Sequence, residues 1–114
     1  MLVVDDDDDL RDSICELLEC EGYRAVPAAG GAEALAYLRS APPPAAILLD
    51  LMMPQMDGWQ VHEALQREPG LCAIPVLAMT ASRHAVSPGG TTAVLPKPMR
   101  LDQLLSALER ACAR

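Results

Sequence analysis

Five short apolar runs alternate with stretches of helical spacing, and this alternation restricts the fold of the chain more than any single residue does. Residues 2–4, Leu-Val-Val, stop abruptly at Asp5, as a buried strand with a polar carboxyl end does. Over 10–21, Leu10, Ile14, Leu17 and Leu18 recur on one helical face, and Gly22 supplies a stop. A second run, 23–26, ends at Pro27, and a helix is predicted over 31–39 with Ala32, Leu35 and Leu38 on one face. Residues 40–44 break that pattern, and a third run, 45–49, again meets an acid, Asp50. A helix over 59–67 leads into Glu68-Pro69-Gly70, and a fourth strand over 75–79 ends at Thr80. A fifth, 93–95, runs into Pro96-Lys97-Pro98 before a last helix over 101–113 carrying Leu101, Leu104, Leu105 and Leu108. Strands that alternate with helices imply an α/β fold, a parallel sheet covered by helices on both faces. With no repeat and no linker, residues 1–114 read as one domain.

Charge narrows the function. Sixteen acidic residues stand against nine basic ones, and five of the acids form the run Asp5, Asp6, Asp7, Asp8, Asp9. Without that run the balance falls from −7 to −2, so the acidity is one local feature. Direct nucleic-acid binding is not expected, because phosphate contacts need clustered Lys and Arg. There is no apolar stretch of membrane-spanning length and no leader-like amino terminus, so a cytoplasmic location and no membrane contact are expected. Cys15, Cys20, Cys72 and Cys112 lack metal-ligand spacing and read as reduced structural thiols. With no Phe, the core must be aliphatic.

In a doubly wound sheet the ligand site lies beyond the carboxyl ends of the strands. Those ends bear Asp5 and Asp6, Asp50, Thr80 and Lys97. Converging carboxylates repel one another, and a hard cation such as Mg²⁺ resolves this with oxygen ligands and retained waters. A carboxylate beside Mg²⁺ suits phosphoryl transfer to an aspartyl nucleophile, with a hydroxyl and a fixed cation on the phosphoryl oxygens. Asp7, Asp8 and Asp9 read instead as a solvated helix start, with Asp8 or Asp9 as its cap.

These residues carry a resemblance. The stretches Leu2-Val3-Val4-Asp5-Asp6, Ile47-Leu48-Leu49-Asp50, Met53-Pro54-Gln55-Met56-Asp57-Gly58, Pro75-Val76-Leu77-Ala78-Met79-Thr80-Ala81 and Lys97-Pro98, in that order, resemble a receiver domain of two-component response regulators, of the chemotaxis-regulator-like kind. Gly31-Ala32-Glu33-Ala34-Leu35 resembles that family's second helix. The resemblance implies a flavodoxin-like five-stranded sheet of order 2-1-3-4-5. It further implies Asp50 as phosphoacceptor, and a Mg²⁺ site of Asp5, Asp6, Asp50 and the Met52 backbone carbonyl. Thr80 and Lys97 would hold the phosphoryl group, and the Lys97-Pro98 bond would be cis. Mg²⁺-dependent self-phosphorylation from a phosphohistidine donor and self-dephosphorylation follow. Implied partners are a histidine kinase or histidine phosphotransfer protein and an unidentified output protein, and a homodimer is allowed.

Two features depart from the family pattern. Only twelve residues, 81–92, join the fourth and fifth strands, and Pro88-Gly89-Gly90 interrupts them, so the family's fourth helix is expected to be short or missing. Val94 stands where receivers often carry a rotating aromatic ring. Both features favour an alternative, a receiver-fold protein-interaction scaffold that does not switch. An aspartyl-nucleophile phosphatase is disfavoured, because Met52 occupies the place of its usual general acid.

Overall fold

Every residue of the first strand is buried, and the same holds for the third and fourth, which is why their sequences are nearly continuous aliphatic runs. The computed structural model describes residues 1–53, 58–80, 93–96 and 101–112. In chain order these form β1 (Leu2–Val4), α1 (Asp8–Cys20), β2 (Val26–Ala28), α2 (Gly31–Ser40), β3 (Ile47–Asp50), α3 (Gly58–Arg67), β4 (Val76–Thr80), β5 (Ala93–Pro96) and α4 (Leu101–Cys112). The strands make one sheet in the order β2-β1-β3-β4-β5, with every pair parallel. Strand parity sorts the core into two halves. Leu2, Val4, Ile47, Leu49 and Val76 face α2 and α3, where Ala34, Leu35, Leu38, Val61 and Leu65 meet them. Val3, Leu48, Leu77, Met79 and Leu95 face α1 and α4, against Ile14, Leu18, Leu104 and Leu108. Both clusters are aliphatic at their centres, and only Tyr37 and Tyr23 add rings at the margins.

Several boundaries differ from those read in the sequence. β2 comprises Val26, Pro27 and Ala28 rather than 23–26, so Pro27 lies inside the strand. β2 is an edge, and its inward groups are those of the flanking residues: Val26 N–H donates to Met1 O at 2.8 Å, and Ala28 O accepts from Asp5 N–H at 3.2 Å. Successive residues bond to opposite sides, so the proline nitrogen points away from β1 and no ladder bond is lost. Residues 23–25 connect the turn that ends α1 to β2. In that turn Gly22 adopts φ 91°, Gly22 N–H donates to Glu19 O at 3.1 Å, and Tyr23 N–H donates to Leu18 O at 2.9 Å. This is a Schellman closure around the predicted glycine stop.

The start of α1 also differs. Its cap is Asp7, not Asp8 or Asp9, and the Asp7 carboxylate accepts from Leu10 N–H at 3.2 Å. Asp8 and Asp9 occupy the first turn, where negative charge meets the positive end of the helix. Asp50 and Thr80 are the last residues of β3 and β4 rather than the residues after them. Cys15 is half-buried, but Cys20 and Cys72 are exposed, so those two thiols have no packing role. The expected shortening of the β4–β5 connection falls on residues 81–92, outside the described residues, as does the side chain of Val94. Among the described residues, no helix is long and apolar enough to cross a membrane.

One buried group in the α3 face departs from the aliphatic pattern. His62 is buried, its Nε2 has no hydrogen-bond partner, and desolvation lowers its pKa from 6.5. A lowered folded-state pKa means the unfolded chain binds more protons below pH 6.5, so this group's contribution to stability is full above that value and falls as pH drops through the folded pKa. His62→Leu is therefore expected to raise stability at acidic pH more than at pH 8, flattening the acid limb of a denaturation series. An acid limb unchanged by the substitution would count against this assignment.

Candidate functional site

β1 and β3 lie side by side in the middle of the sheet, and their pairing ends on the rung Val4↔Leu49. The next residues are Asp5 and Asp50, so the two acids leave neighbouring strands at the same level. To one side of this point the chain passes to β2 and to the other to β4, which makes it the topological switch point. Asp5 and Asp50 are buried, whereas Asp6 is exposed. Carboxylate oxygens of Asp5, Asp6 and Asp50 all lie within 4.8 Å of one another.

Local turns aim these groups. Asp5 Oδ1 accepts from Asp7 N–H at 2.9 Å, and Asp50 Oδ1 accepts from Met52 N–H at 3.0 Å. Each buried carboxylate is thus anchored by the amide two residues on, the Asx turn that short acidic side chains favour. Leu51 is fixed from both sides: its N–H donates to Met79 O at 3.0 Å, and its carbonyl accepts from Gly58 N–H at 3.1 Å. Gly58 lets the first turn of α3 lie against the backbone after β3. A Cβ there would stand 2.6 Å from Leu51 Cα and 2.8 Å from Asp50 O.

The register Asp50↔Met79 sets Thr80 one step farther along β4, and Thr80 is buried at the carboxyl edge. Thr80 pairs with Pro96 on β5, and Lys97, which follows in the chain, lies outside the described residues. The Met52 side chain is exposed, and its amide serves Asp50. Of the site residues read from the sequence, the structure therefore brings together Asp5, Asp6 and Asp50, and sets Met52 and Thr80 on the adjoining segments.

The roles of three participants are not spelled out by the sequence. Asp7 is hidden in a run of identical residues. Gly58 matters through an approach distance that only the tertiary structure defines. Arg11 reaches back to the turn, donating from Nη1 to Asp5 O at 2.9 Å and from Nη2 to Asp8 Oδ1 at 2.6 Å. The Asp8–Arg11 spacing of three signals the ion pair but not the backbone contact.

A family model described as the response regulator receiver domain matches residues 1–109. The chain belongs to the receiver-domain family of response regulators. Response regulator MprA of Mycolicibacterium vanbaalenii is 36% identical over 119 residues, covering 100% of this chain but 50% of that protein. The chain thus spans about half the length of such curated relatives. Among solved structures, chemotaxis protein CheY4 of Vibrio cholerae is similar at a TM-score of 0.86 and 31% identity, covering 96% of this chain and 95% of that one. Response regulator TrrA of Thermotoga maritima, solved in complex with Mg²⁺ and beryllofluoride, is similar at 0.86 and 26% identity, covering 96% of each chain. Receivers bind Mg²⁺ in an acidic pocket, and Asp5, Asp6 and Asp50 of this chain form an acidic cluster.

Proposed function

We propose that this chain is a single receiver domain that accepts a phosphoryl group on Asp50 and passes the signal on by altered partner binding. The observation that carries this reading is the convergence of Asp5, Asp6 and Asp50 within 4.8 Å at the switch point of the sheet. The donor set fits Mg²⁺: three carboxylates and a backbone carbonyl offer only oxygen, and the exposed position of Asp6 leaves the site open to the waters this ion retains. Asp5, Asp6, Asp50 and the Met52 carbonyl would hold it. When bound, the ion supplies charge neutralisation at the phosphoryl oxygens.

The chain's own groups divide the remaining work. An Asp50 oxygen attacks phosphorus as the bond to a donor histidine nitrogen breaks, and the proton required by the departing imidazole comes from solvent. The Met52 amide holds Asp50 Oδ1 and so fixes the direction of attack. Thr80 and Lys97 would bind the transferred phosphoryl oxygens. Water returns the carboxylate by hydrolysing the acyl phosphate, which resets the module. A histidine kinase or histidine phosphotransfer protein is the donor, and a protein sensitive to the altered conformational population is the recipient. The similar TrrA structure, with Mg²⁺ and beryllofluoride bound, supports the same occupancy here.

Mg²⁺ is expected to raise the melting temperature, because it binds only the folded cluster and offsets its like charges. At a hundredfold excess over Kd the gain is about 2.7 kcal/mol. Asp6→Ala is expected to lose most of this gain without disturbing the core, since Asp6 is exposed. A wild-type melting temperature indifferent to millimolar Mg²⁺ would contradict the metal site.

A further inference from the structure

Arg11 is not accounted for by the phosphoacceptor chemistry, and its surroundings point to a role in it. Asp5 is bonded to the end of β2, its N–H donating to Ala28 O at 3.2 Å. In a parallel pair the N–H and C=O of one residue face the same neighbour. The Asp5 carbonyl therefore points past the end of β2, which stops at Ala28. The Arg11 guanidinium takes the place of a ladder partner, with Nη1 donating to Asp5 O at 2.9 Å. The ion pair with Asp8 does not explain this placement. The Arg11 side chain is 12% exposed and that of Asp8 77%, and an exposed carboxylate contributes little. Meanwhile Arg11 Nε is buried with no hydrogen-bond partner, which is a cost. What the burial secures is the contact with the Asp5 carbonyl.

That contact fixes the peptide between Asp5 and Asp6. On the other side of Asp6, the Asp7 N–H is held by Asp5 Oδ1 at 2.9 Å. Asp6, the exposed member of the cluster, is thereby clamped in the backbone at both ends. We propose that Arg11 is a positioning residue for metal binding, holding the 5–6 peptide so that the Asp6 carboxylate converges with those of Asp5 and Asp50. This rests on the reading of the cluster as a Mg²⁺ site. Charge alone predicts the opposite effect, since a guanidinium beside the turn repels a divalent cation and its removal would tighten binding.

The sign of the effect is the test. Mg²⁺ titrations followed by amide NMR on wild type, Arg11→Ala and Arg11→Met, each well below its melting temperature, should show Kd weakened about 10-fold or more in both variants. Arg11→Met keeps the apolar stem, so it preserves the comparison if the alanine variant folds poorly. Arg11→Lys, which retains one donor, should recover part of the affinity relative to Arg11→Met. A structural role confined to stability would lower the melting temperature and leave Kd unchanged. Variants that bind Mg²⁺ as tightly as wild type, or more tightly, overturn the positioning role alone. A wild type that binds no Mg²⁺ overturns the site itself.

Discussion

Asp50→Asn is expected to reduce phosphoryl incorporation from a small acyl phosphate donor to background while leaving the fold in place. An amide oxygen is a poor nucleophile, so the chemistry stops with almost no change in shape. The local structure tolerates the exchange because the Asn oxygen can still accept the Met52 N–H, now 3.0 Å from Asp50 Oδ1. β3 keeps its pairing with β4 through Asp50↔Met79, which depends on backbone alone. The readout is hydroxylamine-sensitive phosphate, located by mass spectrometry. Undiminished label on the Asn variant would remove Asp50 from the mechanism.

Gly58→Ala is expected to lower stability more than a methyl group added at Gly30 or Gly70. The added carbon would meet Leu51 Cα at 2.6 Å and Asp50 O at 2.8 Å, both backbone atoms that cannot rotate aside. Relief requires α3 to move away from β3, and overpacking of this kind costs about 1–3 kcal/mol. A fall in Tm on the order of 10 °C corresponds to the upper part of that range. The displacement should also slow phosphorylation, because the carbonyl of Asp50 and the Leu51–Gly58 hydrogen bond move with it. Gly70→Ala is the control: nothing lies within 4 Å of its added carbon, and its φ is outside the left-handed region. Its effect should stay within about 0.5 kcal/mol. Equal melting temperatures for the two variants would refute the close-approach argument.

Much of the architecture was legible because burial on both faces leaves an unmistakable pattern. β1, β3 and β4 are apolar runs with no polar interruption, and a polar group that suits a site stands at the end of β3 and β4 and just after β1. That pattern sets their acids at one edge of the sheet, and Asp5, Asp6 and Asp50 converge there. β2 departs from the expected span, 23–26, for the opposite reason. An edge strand needs only one bonded side, so a proline that would end a central strand is tolerated at Pro27. The α1 cap differs from the expected Asp8 or Asp9 because five consecutive aspartates offer equivalent candidates, and only the turn from Asp5 to Asp7 selects among them. The contributions of Arg11 and Gly58 depend on where a neighbouring strand ends and how near a helix approaches, and local sequence does not set either distance. Lys97 and the expected shortening of the β4–β5 crossover lie outside the described residues.

The measurement that bears most directly on the phosphoacceptor reading is an amide NMR titration of the wild type with beryllofluoride, run with and without Mg²⁺. Beryllofluoride mimics a phosphoryl group on a carboxylate, so it probes the metal site and the acceptor together. Shifts should saturate at one equivalent, centred on residues 5–7 and 50–52 and on Thr80, only when both reagents are present. Shifts that appear equally without Mg²⁺, or that leave Asp50 and its neighbours unmoved, would contradict it.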